Sequence, residues 1–195
     1  MGREREVKLR IASAADFHRL VQSLPPAVET HQRNTYFDTP DHALAREGML
    51  VRVREAGGKV VLTVKRVRGR AQGRIESDEW ERELAPALWA SVQSGRAPLA
   101  AASFAPLDAA ARGRPIAAIG SLENLRRLAR GPTGALYEMD ETRFPWGEVH
   151  YELEIESDEP EEELAAARAL FDRLGVAYSD RVETKPERLF RGPAR

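Results

Sequence analysis

The stretch M-L-V-R-V-R-E-A-G-G-K-V-V-L-T-V-K occupies residues 49–65 and alternates apolar with polar or charged residues. An alternation with period two is typical of a β-strand. The Gly-Gly pair at 57–58 suits the two-residue turn that joins antiparallel strands. The stretch therefore predicts a β-hairpin with one aliphatic face and one face that carries Arg52, Arg54 and Lys65.

Other runs along the chain repeat this division into an aliphatic face and a charged face. The further strands are predicted at about residues 4–11, 30–37, 75–84, 121–130, 134–141 and 147–156. About eight strands, mostly joined by hairpins, are enough to close into a barrel that holds one small ligand. If the aliphatic faces pack outward against the predicted helices, the charged faces line the lumen. The predicted fold is therefore α+β, an eight-stranded antiparallel β-barrel with a charged lumen and helices packed outside.

Composition narrows the class of protein. The 195 residues suffice for one domain, predicted over 1–195, and a net charge of −1 predicts neither a nucleic-acid nor a membrane partner. The absence of cysteine excludes disulfides, thiolate metal sites and cysteine nucleophiles. No signal-peptide pattern or long apolar run is present, so we expect a cytoplasmic protein. The arginine-rich segment 66–74 lacks interleaved aromatic residues and is predicted to be a mobile loop rather than a nucleic-acid contact.

Two interpretations of the charged faces remain open from the residues alone. An ordinary half-buried sheet would expose these side chains to water, where cross-strand ion pairs contribute little to stability. A closed barrel would instead enclose them, and their sorting by sign favours this second interpretation. Enclosed carboxylates suit Mg²⁺, which prefers a few carboxylate and phosphate oxygens. Enclosed arginines and lysines suit phosphate groups. The pattern therefore favours a metal-bound polyphosphate as ligand.

A series of motifs in order along the chain carries a family resemblance. They are E-R-E-V-K (4–8), H-Q-R-N-T-Y-F-D-T-P (31–40), L-V-R-V-R (50–54), L-T-V-K (62–65), E-N-L-R (123–126), M-D-E-T-R-F (139–144), Y-E-L-E-I-E (151–156) and E-T-K-P-E-R-L-F (183–190). This series resembles the CYTH superfamily, the triphosphate tunnel metalloenzymes. The H-Q-R-N-T and M-D-E-T blocks are most similar to plant-type inorganic tripolyphosphatases.

The resemblance implies an eight-stranded antiparallel tunnel, dependence on Mg²⁺ or Mn²⁺, and a triphosphate substrate. The residues it places near metal are Glu4, Glu6, Asp140, Glu152 and Glu154. The residues it assigns to phosphate binding are Lys8, Arg52, Arg54, Lys65, Arg126 and Lys185. Glu4, Glu6 and Lys8 are expected to be catalytic, and Glu81, Glu83, Glu138 and Glu156 to line the same tunnel. Residues 121–130 do not alternate cleanly, which leaves Arg127 open as the inward group in place of Arg126.

The predicted activity is metal-dependent hydrolysis of inorganic tripolyphosphate to pyrophosphate and phosphate. Either Lys8 or a lumen glutamate handles the proton of the attacking water. Thiamine triphosphatase and class IV-type adenylate cyclase are the rival enzymes, and both need room for an organic group. A polyphosphate- or nucleotide-binding module without turnover and a structural partner are the non-enzymatic alternatives. The oligomeric state stays open.

Overall fold

The computed structural model describes residues 2–181 and 183–193. Within these ranges the chain forms nine β-strands, six α-helices and one 3-10 helix at Leu99–Ala102. The strands are β1 (Gly2–Ile11), β2 (Val28–Asp38), β3 (Met49–Ala56), β4 (Lys59–Ala71), β5 (Arg74–Glu83), β6 (Ala117–Arg130), β7 (Leu136–Arg143), β8 (Val149–Glu156) and β9 (Tyr178–Ser179). The helices are α1 (Ala14–Ser23), α2 (Ala43–Arg46), α3 (Pro86–Gln93), α4 (Ala105–Ala111), α5 (Pro160–Leu174) and α6 (Lys185–Arg191).

Strand β1 closes the sheet into a barrel. Its first half pairs with β5, where Gly2 lies opposite Glu79, and its second half pairs with β8, where Ile11 lies opposite Tyr151. The order β5-β4-β3-β2-β6-β7-β8-β1 thus returns to β5, and every pairing is antiparallel. The two-residue strand β9 adds to the end of β1 outside this ring. The prediction of an eight-stranded antiparallel barrel is confirmed.

The aliphatic strand faces pack outward against helices, as the alternation predicts. Val7 and Leu9 of β1 are fully buried in one core with Phe17 of α1 and Phe171 of α5. Helix α1 begins after Ser13, whose hydroxyl accepts a hydrogen bond from the Asp16 amide and satisfies a free helix donor. The outer faces of β3 and β4 form a second core with α3 and α4. The polar residues of the same strands are therefore turned toward the lumen.

The prediction of a mobile loop over residues 66–74 was wrong. Strand β4 continues to Ala71, with a bulge between Val67 and Gly69, and β5 begins at Arg74. The turn between them is held by backbone hydrogen bonds of Gly73, which accepts from the Lys8 amide at 2.9 Å and donates to the Asp180 carbonyl at 2.8 Å. The glycines in this segment weaken the strand pattern in the sequence, and the hairpin is instead stabilised by the hydrogen bonds with Lys8 and Asp180.

Helix α6 covers one end of the barrel. It begins with a capping box between Thr184 and Glu187, and Leu189 packs in a small core with Tyr36 and Phe144. The ring of Phe190 contacts that of His42 with centroids 4.8 Å apart. Helix α6 is thereby held against the strands, and the barrel is covered at this end. In the ranges described, no helix has the length and apolar character needed to cross a membrane.

Candidate active site

Two adjoining cavities lie inside the barrel, and they differ in size and charge. The wide chamber has a volume of about 500 Å³, and its own lining is mainly acidic. The narrow chamber has about 90 Å³ and lies under Lys185 and Pro186 of α6. Both chambers are lined by Glu6, Arg52, Arg54, Lys65, Arg126 and Glu154. The barrel interior therefore changes from an acidic mouth to a basic inner end, with both signs of charge where the chambers meet.

The inner end contains a buried ion-pair cluster, which we define as the acids Asp140, Glu152 and Glu154 with the cations Lys8, Arg126, Lys185 and Arg188. Arg126 donates two hydrogen bonds to Asp140, at 2.8 and 2.7 Å, and one to Glu154 at 2.7 Å. Lys8 also contacts Glu154. Asp140 is 0% exposed and Glu152 is 1% exposed, so these charges depend on one another rather than on water.

The cations of this cluster keep its acids ionised. Burial alone would raise the pKa of Glu152, but Lys185, Lys8 and Arg188 outweigh it and lower this pKa to about 2. The pKa of Glu154 is likewise held well below its ordinary value, against burial, by Lys185 and Lys8. The carboxylates in turn raise the pKa of Lys8 despite its burial. The cluster is thus fully charged at neutral pH.

Arg52 and Arg54 lie side by side where the chambers meet. Neither guanidinium has a carboxylate within ion-pair distance in the described part of the chain. Arg52 donates to the Thr63 hydroxyl at 3.3 Å, and Arg54 donates to the Asn34 amide oxygen at 3.3 Å. The neighbouring charge of Arg52, together with burial, lowers the pKa of Arg54 to about 10. This excess positive charge inside a closed barrel favours an anionic ligand.

The acidic mouth shows the opposite imbalance. Lys65 is the ammonium nearest to Glu4, at 2.6 Å, and to Glu79, at 2.9 Å. Burial alone would raise the pKa of Glu4, but the charge of Lys65 and hydrogen bonds with Glu156, Lys65 and Glu79 together lower it to about 2. Burial and neighbouring acids instead raise the pKa of Glu6 and of Glu79 to about 7 each. Partial burial and a hydrogen bond with Glu4 raise the pKa of Glu156 to about 8. The mouth is therefore short of positive charge.

The donor chemistry fits a divalent cation. In the ranges described, no group of three or more His, Asp or Glu side chains is arranged to hold a metal ion. The inner carboxylates are held by lysine and arginine, whereas Glu4, Glu6 and Glu156 crowd together and raise one another's affinity for positive charge. Carboxylate oxygens are the protein ligands that Mg²⁺ and Mn²⁺ prefer. The residues that could hold such an ion are therefore those of the mouth, together with the inner acids once their cations are drawn away.

The raised pKa values of the mouth predict how stability depends on pH without metal. A group whose folded pKa exceeds its unfolded value stabilises the fold below the unfolded pKa, and this contribution is lost as pH rises through the folded pKa. For Glu6, Glu79 and Glu156 this loss begins above the ordinary carboxyl pKa of 4.5 and is complete by about pH 7 to pH 8. In EDTA, the melting temperature should be lower at pH 9 than at pH 6, and Glu156→Gln should reduce the difference. An equal or higher melting temperature at pH 9 would contradict this assignment.

The remaining predicted site residues divide between the chambers and the surface. Arg126 faces the barrel interior, whereas Arg127 lies outside with its guanidinium 5.6 Å from the Phe17 ring centroid, which resolves the alternative left open by the sequence. Glu138 lines the wide chamber and contacts Arg126. Glu81 lines it too and accepts a hydrogen bond from Thr63. In the described ranges, Glu83 is exposed at the end of β5 and lines neither chamber.

Sequence reasoning missed Arg188. This side chain is 1% exposed, lies 2.9 Å from Glu152 and stacks over the Phe144 ring at 5.6 Å. The sequence did offer one indication of its role. Arg188 lies three residues after Lys185, and this spacing puts both cations on one face of a helix. The amide side chains of Gln32, Asn34 and Asn124 were missed as well, although they line the narrow chamber and share the inward parity of their strands.

Comparisons with known proteins agree with this geometry. A family model described as the CYTH domain matches residues 2–185. Among solved structures, this chain is similar to HpAC1 from Hippeastrum, which is described as a proposed adenylyl cyclase with a dominant triphosphatase activity. The two sequences are 24% identical and the structures superpose with a TM-score of 0.83. The alignment covers 93% of this chain and 92% of HpAC1. A proposed adenylate cyclase from Bacillus halodurans is 23% identical with a TM-score of 0.76, over 97% and 100%. The PH1012 protein of Pyrococcus horikoshii is 18% identical with a TM-score of 0.58, over 92% and 96%. Among curated proteins, none matches this sequence.

Proposed function

Because the chain belongs to the CYTH domain family, we propose that it hydrolyses inorganic tripolyphosphate to pyrophosphate and phosphate inside the barrel. The observation that carries the proposal is the pair Arg52 and Arg54, two enclosed guanidiniums without a carboxylate partner in the described ranges, next to an acidic mouth. A linear polyanion spanning both chambers would place negative charge against these arginines. A divalent cation at the mouth would neutralise phosphate charge and supply a more acidic water.

The lining favours an inorganic triphosphate over an organic one. No aromatic side chain lines the wide chamber in the described part of the chain, so a nucleobase or thiazole ring would find no stacking partner there. The narrow chamber does include Tyr36, but α6 covers it and its volume is about 90 Å³. An organic group would have to lie among the carboxylates of the mouth, which offer it no apolar contact.

The pKa values favour a glutamate over Lys8 as the group that accepts a proton from water. The raised pKa of Lys8 keeps its ammonium protonated at neutral pH, and a protonated amine cannot act as a base. Glu6 has a pKa of about 7 and lies where the two chambers meet. We therefore assign Lys8 to holding phosphate oxygens and propose a lumen glutamate such as Glu6 as the proton acceptor.

A substrate panel tests the proposed function. Phosphate release is measured from tripolyphosphate, thiamine triphosphate and ATP, each with Mg²⁺, with Mn²⁺ and with EDTA, and cyclic AMP is measured in the ATP reactions. We expect the highest kcat/KM for tripolyphosphate and no release in EDTA. Higher turnover of thiamine triphosphate, or cyclic AMP as the main product, would replace the proposal with the corresponding alternative. Binding of tripolyphosphate without any phosphate release would make the protein a binding module.

Arg52→Ala should weaken substrate binding without harming the fold. A charge-assisted hydrogen bond contributes about 1.5–3 kcal/mol, so KM for tripolyphosphate should rise about 10- to 100-fold. Stability should not fall, because the substitution removes repulsion against Arg54. Arg66→Ala, an exposed arginine on the neighbouring strand, is the matched control and should leave KM unchanged. An unchanged KM in Arg52→Ala, measured by initial rates, would remove this residue from the phosphate site.

A further inference from the structure

The ammonium of Lys185 lies among three carboxylates of the buried ion-pair cluster. Its Nζ atom is 2.7 Å from Asp140 Oδ2, 2.6 Å from Glu154 Oε1 and 3.1 Å from Glu152 Oε2. These three carboxylates come from the neighbouring strands β7 and β8 and surround the ammonium. The arrangement resembles a metal site in which the cation is a lysine side chain of the protein itself. The distances are those of an ammonium, since Mg²⁺ binds oxygen at about 2.0–2.1 Å.

The other oxygens of these three carboxylates are also paired. Arg126 contacts Asp140 Oδ1 at 2.8 Å and Glu154 Oε2 at 2.7 Å, and Arg188 lies 2.9 Å from Glu152 Oε1. Every oxygen of the three acids therefore lies within 3.1 Å of a lysine or arginine nitrogen. Because these acids are almost fully buried, an added cation could reach them only by replacing one already present.

We propose that Lys185 is a built-in counter-ion that competes with a divalent cation for Asp140, Glu152 and Glu154, and that triphosphate frees these acids by drawing the ammonium to its own oxygens. The inference deepens the proposed function, on which it rests, because only a polyanion in the narrow chamber offers Lys185 an equivalent partner. Lys185 lines that chamber together with Arg52 and Arg54, so one anion can contact all three side chains.

The exchange makes metal and triphosphate bind cooperatively. If triphosphate raises the affinity of these carboxylates for metal, metal must raise the affinity for triphosphate by the same factor. The inner acids would then bind no metal until triphosphate is present, whereas the mouth acids could bind metal without triphosphate. This arrangement keeps the inner acids neutralised and avoids unpaired buried charge in both states.

Titration of metal-free protein with Mn²⁺, followed by electron paramagnetic resonance in the absence of triphosphate, tests this proposal. Lys185→Met should bind one more Mn²⁺ ion than the wild type, or bind Mn²⁺ at least about tenfold more tightly, because the three carboxylates lose their occupant. Lys59→Met, which alters an exposed lysine at the start of β4, is the matched control and should titrate like the wild type. Equal titrations of Lys185→Met and the wild type would overturn the proposal.

Two further measurements keep the proposal testable if the methionine variant does not fold. Lys185→Gln removes the charge but keeps an amide that can donate hydrogen bonds to the same acids, and it should show the same gain in Mn²⁺ binding. In the wild type with EDTA, the ammonium resonance of Lys185 should shift when the non-hydrolysable analogue imidotriphosphate is added. A resonance that stays unchanged while the analogue binds would contradict the exchange.

The two proposals fail in distinguishable ways. If the wild type releases no phosphate from any triphosphate, the proposed function fails whatever the Mn²⁺ titration shows. If the wild type hydrolyses tripolyphosphate and both Lys185 variants titrate like the wild type, only the counter-ion inference fails.

Discussion

Glu4→Gln is expected to lower kcat for tripolyphosphate at least about 100-fold, because the charge stabilisation supplied by a divalent cation is worth several kcal/mol. Glu4 lies at the acidic mouth and its pKa is lowered to about 2, so it is ionised at any working pH. The fold should persist. Lys65 keeps Glu79 as a partner at 2.9 Å.

The measurement is kcat from initial rates at several Mg²⁺ concentrations, with circular dichroism to verify folding. Glu83→Gln is the matched control, because this glutamate also sits on a barrel strand but is exposed outside both chambers. It should retain the wild-type kcat. A Glu4→Gln variant that is folded and fully active would remove Glu4 from the metal-binding group.

Asp140→Asn is expected to produce the largest loss of stability. Asp140 is 0% exposed, accepts two hydrogen bonds from Arg126 and lies 2.7 Å from Lys185. Without its charge, two buried cations lose a counter-ion in a cluster that already has more cations than acids. Breaking a buried ion pair on one side costs about 3–5 kcal/mol of the free energy of unfolding. Urea denaturation of the metal-free protein measures this loss.

Asp41→Asn is the control, because Asp41 forms an exposed ion pair with Arg46 and its removal should change the free energy of unfolding by less than about 1 kcal/mol. Imidotriphosphate should restore part of the stability of Asp140→Asn, since its negative charge can serve the cations that Asp140 leaves behind. A loss no larger than that of Asp41→Asn would show that the inner cluster does not depend on this carboxylate.

Much of the fold could be predicted from the strict alternation of the strands. On β1 and β3 the charged residues Glu6, Lys8, Arg52 and Arg54 alternate with aliphatic ones, so their inward position follows from the period of a strand. The closure of the barrel was the harder step, because β1 must pair with both β5 and β8, which lie far apart in the sequence. An open sheet would show the same alternation.

The parts that escaped prediction depend on contacts between distant segments. The consecutive residues Arg126 and Arg127 have the same chemistry, and only the register that places Arg126 opposite Asp140 decides which of them faces inward. The β4–β5 hairpin contains glycines that weaken any strand signal, although Asp180 and Lys8 hold its turn through the backbone. The burial of Arg188 depends on where α6 lies, and no local pattern specifies that position.

Because β1 pairs with both β5 and β8, the barrel cannot close during translation until β8 has been made. β1 is made before the other strands of the barrel, yet one of its edges has no partner until β8 has been made. Folding routes that depend on such distant contacts are slow, and an unpaired strand edge invites association with other chains. Nascent chains that stop before β8 should therefore aggregate more than chains that include it, because only β8 supplies the strand partner that places Glu156 opposite Glu6.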